Sequence, residues 1–155
     1  MRPLYLITLF AALTAPALAQ AQEPAVGGDA SNIRYIVNED MKKLNLPLSS
    51  AVEVDGLIFL SGALGTVPGG GLAEGGIGPE TRQTMENIKS LLATEGLGMD
   101  RLIKCTVMLA DIKEWPAFNA IYADYFDSNY PARSAFAASG LALGARVEVE
   151  CIARR

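Results

Sequence analysis

The segment Ala145-Arg146-Val147-Glu148-Val149-Glu150-Cys151-Ile152-Ala153-Arg154 alternates along its length. Ala145, Val147, Val149, Cys151 and Ala153 fall on one side; Arg146, Glu148, Glu150 and Arg154 fall on the other. A two-residue period marks a strand that buries one face and turns the other toward water or another chain.

Working outward from this strand, Gly140 to Gly144 reads as a turn and Ala132 to Ser139 as a strand of small residues. Asn129-Tyr130-Pro131 breaks a preceding helix, in which Trp115, Phe118, Ile121, Tyr122 and Tyr125 trace an aromatic face behind a cap at Asp111. Such a stripe predicts core packed on a sheet. Leu102 to Leu109 is an apolar strand. Before it, Met85, Ile88, Leu91 and Leu92 form the buried stripe of a helix opened by Pro79 and Glu80 and ended by Gly96 and Gly98. Thr66 to Gly78 is a glycine-rich surface loop, and no Lys-Ser/Thr follows its glycines as phosphate cradling would need. Ser49 to Gly65 is a hairpin turning at Asp55-Gly56, interrupted at Ser61-Gly62, where a glycine predicts a bulge or a close approach. Asn38 to Pro47 is a connection, and Ile33 to Val37 a first strand. The order β-β-β-α-β-α-β-β predicts an α+β domain, a sheet with two helices on one face.

The N-terminus is of a different kind. Met1-Arg2 carries one positive charge, Leu4 to Ala15 is almost wholly apolar, and Ala17-Leu18-Ala19 supplies the small-x-small pattern of a signal-peptidase site. Residues 1–19 are therefore expected to be a cleaved signal peptide, 20–32 a flexible lead-in and 33–155 the folded domain. The predicted location is periplasmic or secreted, with no membrane association after cleavage.

Removing Arg2 leaves 12 basic against 17 acidic side chains, a net charge of −5. An acidic domain without a basic run repels phosphate backbones, so no nucleic-acid partner is expected. The chain has no histidine, which excludes Ser-His-Asp and Cys-His catalysis and removes the commonest metal ligand. No metal and no cofactor are expected. Cys105 and Cys151 sit in apolar strands and are expected to be buried free thiols packed as small hydrophobes; the export signal makes a disulfide chemically feasible, but spacing cannot say whether their Cα atoms meet.

With histidine absent, candidate chemistry rests on arginine and carboxylates. Arg133 starts a strand of small neighbours, over which a planar guanidinium can present its fork to a carboxylate. An ordinary strand-edge arginine in water is the alternative. Glu148 and Glu150 share one strand face with Cβ atoms about 7 Å apart; they are either a solvated face or, beside Arg133 in one cleft, a means of aligning a water.

Pro131-Ala132-Arg133-Ser134, followed after a turn by Val147-Glu148-Val149-Glu150-Cys151-Ile152-Ala153, resembles the C-terminal signature of the RidA/YjgF family of reactive-intermediate deaminases. Leu60-Ser61-Gly62, Thr84-Met85-Glu86-Asn87-Ile88 and Asn119-Ala120-Ile121-Tyr122 with Phe126 resemble further motifs of that family in the same order. The resemblance implies a chorismate mutase-like α+β domain and a homotrimer with a cleft at each subunit interface. It also implies metal-free hydrolysis of small reactive 2-imino or enamine carboxylates to 2-oxo acids and ammonia. Arg133 then matches the arginine that grips the substrate carboxylate and Glu148 the glutamate that positions water, with Glu150 secondary. Ser61, Gly62, Asn119 and Ala135 match cleft-lining positions. Two departures stand out: Leu46-Pro47-Leu48 replaces a Gly-Pro-Tyr stretch whose tyrosine encloses the substrate, and Ala135 replaces a frequent cysteine. Leu48 offers only apolar contact, so a non-catalytic carboxylate-binding or holdase-type trimer is the alternative function. Endoribonuclease labels used for some members fit poorly with the acidic balance and the missing histidine.

Overall fold

A computed structural model of the chain describes residues 32–155; the signal peptide and most of the lead-in expected above lie outside them. In chain order the elements are β1 (Arg34–Ile36), α1 (Glu39–Leu44), β2 (Ala51–Val54), β3 (Leu57–Leu60), β4 (Ala63–Leu64), α2 (Ile77–Thr94), β5 (Leu102–Leu109), α3 (Trp115–Ala123), β6 (Ala132–Ala137) and β7 (Val147–Arg154). The fold is the expected mixed sheet with helices.

The strongly alternating segment is the hub. The sheet runs β1-β2-β3-β7-β5-β6, and β4 also pairs with β7. Val147, Val149, Cys151 and Ala153 are buried, and the face they occupy is covered by Met85, Ile88 and Leu92 of α2 and Phe118 of α3 in one core cluster. Burying side chains of that size stabilises the fold by about 1.5–3 kcal/mol each relative to exposure.

The hairpin turns where expected. Asp55 and Gly56 both take positive φ, 49° and 76°, the combination that matches strand twist in a tight two-residue connection. Between the pairs Phe59↔Ile152 and Ala63↔Val149, residues 60–62 run past only residues 150–151. The interruption at Ser61-Gly62 is thus a bulge, with one extra residue on the short strand side.

Four features depart from the expectations. The short strand β4 makes seven strands where six are expected. The connection after β1 contains the short helix α1; the Asn38 side chain accepts from the Met41 amide at its start, and Asn45 ends it in the left-handed region. Asp111 caps a single 3₁₀ turn, Ile112–Glu114, that runs into α3, rather than capping α3 itself. Cys105 and Cys151 are bonded to each other, correcting the expectation of free thiols. The reason is register: the two cysteines are direct partners across antiparallel β5 and β7, with Cα atoms 4.1 Å apart, near the closer of the two antiparallel spacings. Nothing in a separation of 46 residues announces that pairing.

β5 and β6 run parallel, joined through α3. This β-α-β passage delivers Arg133 opposite Cys105, so Cys151, Cys105 and Arg133 occupy one rung across three strands.

Candidate functional site

Arg133 stands on the edge strand β6, on the sheet face that the helices cover. Trp115, Phe118, Asn119 and Tyr122 recur at helical spacing on α3, so they present one face toward it. The Arg133 Nη2 donates to Asn119 Oδ1 at 2.5 Å. The guanidinium carbon lies 4.6 Å from the Tyr122 ring centre, 5.7 Å from that of Phe118 and 5.8 Å from that of Trp115. Such contacts are each worth about 0.5–2 kcal/mol according to their exposure. Burial pushes the Tyr122 phenol up to about 12, against the opposing pull of the Arg133 charge, so the ring beneath the guanidinium stays neutral.

No carboxylate pairs with Arg133 among the described residues. A guanidinium held by one neutral oxygen and aromatic faces keeps most of its donors for an incoming anion. It opens into a groove of about 430 Å³, which Trp115, Pro116, Ala135, Ile112 and Lys113 also line. The aromatic stripe therefore divides. Phe118 and Tyr122 are buried as core, while Trp115 is 39% exposed at the groove. Sequence reasoning placed Trp115 in the core and gave Lys113 no role; their position at the strand-to-helix junction beside the later Arg133 strand was the available signal.

Glu148 belongs to the opposite surface. It pairs with Met108, which pairs in turn with Phe136, and successive residues of a strand point to opposite faces. Arg133 lies on the Cys105–Cys151 row and Glu148 on the Met108 row, so one protomer carries the two groups on opposite faces of its sheet. Burial raises the Glu148 carboxyl above its ordinary value, and the negative charge of Glu150 adds to the shift. Gly62 lies directly beneath it: a Cβ built there would meet Glu148 Oε1 at 2.0 Å. The close approach expected at this glycine is thus made by the chain's own glutamate.

Ser61 is tied down beside it, its hydroxyl donating to the Ser49 carbonyl at 2.7 Å and its amide to that of Ser50 at 3.0 Å. Leu48, just before this pair, is 43% exposed. The expected site residues therefore gather as two groups. Arg133, Asn119 and Ala135 lie together at one edge; Glu148 and Gly62 meet on the other face, with Ser61 and Leu48 nearby in the chain. Glu150 is exposed on the Glu148 face.

A mixed sheet of this order, an edge arginine over an α3 aromatic face and a glutamate seated on the Ser-Gly bulge define the RidA/YjgF class of protein. Residues 41–155 match the endoribonuclease L-PSP family, the same family under another description, and the chain belongs to it. The human 2-iminobutanoate/2-iminopropanoate deaminase is 41% identical over 108 residues, covering 69% of this chain and 79% of that protein. The crystal structure of RidA from an Antarctic Psychrobacter superposes with a TM-score of 0.68 at 31% identity, covering 71% of this chain and 89% of the other. That of E. coli TdcF with bound serine gives 0.67 at 28% identity, covering 71% and 90%.

Proposed function

We propose that this protein hydrolyses small reactive 2-imino or enamine carboxylates, adding water across C=N and releasing a 2-oxo acid and ammonia. The observation that carries this reading is the Arg133 guanidinium, fixed on Asn119 and the α3 aromatics with no carboxylate partner among the described residues. Arg133 grips the substrate carboxylate in a bidentate pair, with Asn119 setting its angle and Ala135 lining the floor. Glu148, seated on Gly62 and beside Ser61, orients the attacking water toward the imine carbon. Anchoring plus water positioning supply the acceleration without a metal or cofactor. The names of the deaminase relatives and the amino acid bound by TdcF support the same chemistry.

Because Arg133 and Glu148 lie on opposite faces within one protomer, the working site is shared: Arg133 of one copy meets Glu148 of the next. The sheet face opposite α2 and α3 favours such an assembly. It presents Tyr35, Phe59 and Phe136, all exposed, with Val52 and Ile152 between them. We take the assembly to be a homotrimer, a closed ring of heterologous contacts.

The protein acts outside the cytoplasm in this proposal, after cleavage behind Ala19. The Cys105–Cys151 bond supports that compartment, since structural disulfides persist where the milieu is oxidising. Amino-terminal sequencing of the exported protein should begin at Gln20; a retained Met1 in all of the protein would refute the cleavage.

The reaction is tested by generating 2-imino acids in situ with an amino-acid oxidase and following release of 2-oxo acid. The wild type should exceed the buffer rate and Arg133→Ala should not. Leu48 favours a second reading, a non-catalytic carboxylate-binding or holdase-type trimer, because it gives no hydroxyl to the substrate. Under that reading the wild type binds small carboxylates through Arg133 yet leaves imine hydrolysis at the buffer rate.

A further inference from the structure

The groove beside Arg133 carries a second cation that the reaction as described does not use. Lys113 lines the same groove, in the 3₁₀ turn between β5 and α3. Neither acid beside it forms an ion pair with its ammonium. The Asp111 carboxylate accepts from the Lys113 backbone amide at 2.9 Å, and Glu114 pairs with Arg146 at 2.5 Å. The Lys113 ammonium makes no ion pair among the described residues. Arg133 has only the neutral Asn119 oxygen and the rings. Two cations without an ion-pair partner among the described residues thus line one groove in a chain whose net charge is −4, and no acidic side chain lines it.

From this we infer that the site selects 2-imino acids bearing a second anionic group, with Lys113 as the residue that reads it. The substrate class is the imine of a dicarboxylic amino acid: Arg133 holds the carboxylate next to the C=N carbon, and Lys113 meets the distal carboxylate. Trp115, Pro116 and Ile112 pack on the methylenes between the two ends. A groove of about 430 Å³ has room for that longer molecule beyond a short aliphatic acid. The flexible four-carbon stem of lysine suits a distal group whose distance varies with chain length. The inference rests on the deaminase reading for its reaction, but its binding component can be measured without turnover.

The experiment is calorimetric titration of the full mature protein with 2-oxoglutarate and with 2-oxopentanoate, product-like acids that differ only in a terminal carboxylate against a methyl. The wild type should bind 2-oxoglutarate about fivefold tighter, the upper range for a partly exposed ion pair. Lys113→Gln should bring the ratio of the two constants close to one, and Lys113→Arg should preserve it. Raising the salt concentration should shrink the wild-type ratio. Equal affinities in the wild type, tighter binding of 2-oxopentanoate, a preference that survives Lys113→Gln, or no binding of either acid would each overturn the inference. The deaminase reading fails separately, if the Lys113-dependent preference is present but neither imine is hydrolysed.

Discussion

On the edge strand β6, the Arg133 guanidinium is wedged against three aromatic rings and an asparagine oxygen, on the same rung as a buried disulfide. On the central strand β7, the Glu148 carboxylate rests on a glycine that offers no side chain, next to a like charge, on the face opposite the one packed by α2 and α3. One group is over-determined by its neighbours; the other is held by the absence of a methyl group. In the shared site proposed above, the difference lets one sheet serve two copies of a chain at once. The proposed anion grip is braced by α3 at the sheet edge, while the carboxylate proposed to handle water is left on the opposite face, available to the next copy.

The largest effect should come from separating the two halves. Arg133→Ala should lower kcat/KM by at least about 100-fold, or about 3 kcal/mol, the scale of a lost hydrogen bond to a charged group. Glu148→Gln should cost a comparable factor. Co-expressed and co-purified as mixed oligomers, the two variants should regain part of the wild-type rate, because some sites then receive an intact Arg133 from one copy and an intact Glu148 from another. If mixed oligomers are as inactive as the parents, the shared site is wrong.

The disulfide tests how far the rigidity of the arginine side depends on that rung. Cys105→Ala with Cys151→Ala should cost about 2–4 kcal/mol of stability, read as a fall in Tm. Denatured wild-type protein should show no titratable thiol until a reductant is added.

Gly62→Ala probes the other side. Its Cβ would overlap Glu148 Oε1, so the carboxylate must swing away. We expect kcat to fall about tenfold, roughly 1.4 kcal/mol, with Tm changing far less than in the disulfide variant. An unchanged kcat would mean that the observed Glu148 position is not the working one.

The smallest effect concerns pH. In the proposed reaction Glu148 works as the carboxylate, and its pKa is raised by burial and then by Glu150. Activity should therefore rise with pH through a limb above the ordinary glutamate range. Glu150→Gln removes the like charge and should move that limb to lower pH, measured as kcat/KM against pH. A limb that stays fixed would sharpen the comparison, leaving burial as the sole cause.

Much of this arrangement was legible before any coordinates. The two-residue alternation of 145–154, the Asp55-Gly56 turn and the Met85-Ile88-Leu92 stripe are local patterns, and each formed the element it implied. Arg133, Asn119 and Glu148 stood out through motif resemblance, and the structure adds the geometry that motif spacing lacks. The short helix α1 was missed although Asn38 caps it, because six residues give too little periodicity to read. The role of Lys113 was invisible, since one lysine in an exposed turn is ordinary until the strand beside it is known.

The sequence by itself determined the long strands and the two main helices and which side chains could bear charge chemistry, because those depend on neighbours within a few positions. Only the tertiary structure decided that Cys105 meets Cys151, that β6 lies parallel to β5, and that Arg133 and Glu148 face opposite ways. Those outcomes depend on register between segments far apart in the chain. A one-residue slip in register turns every side chain of a strand to the other face, and packing across the whole core selects among the registers.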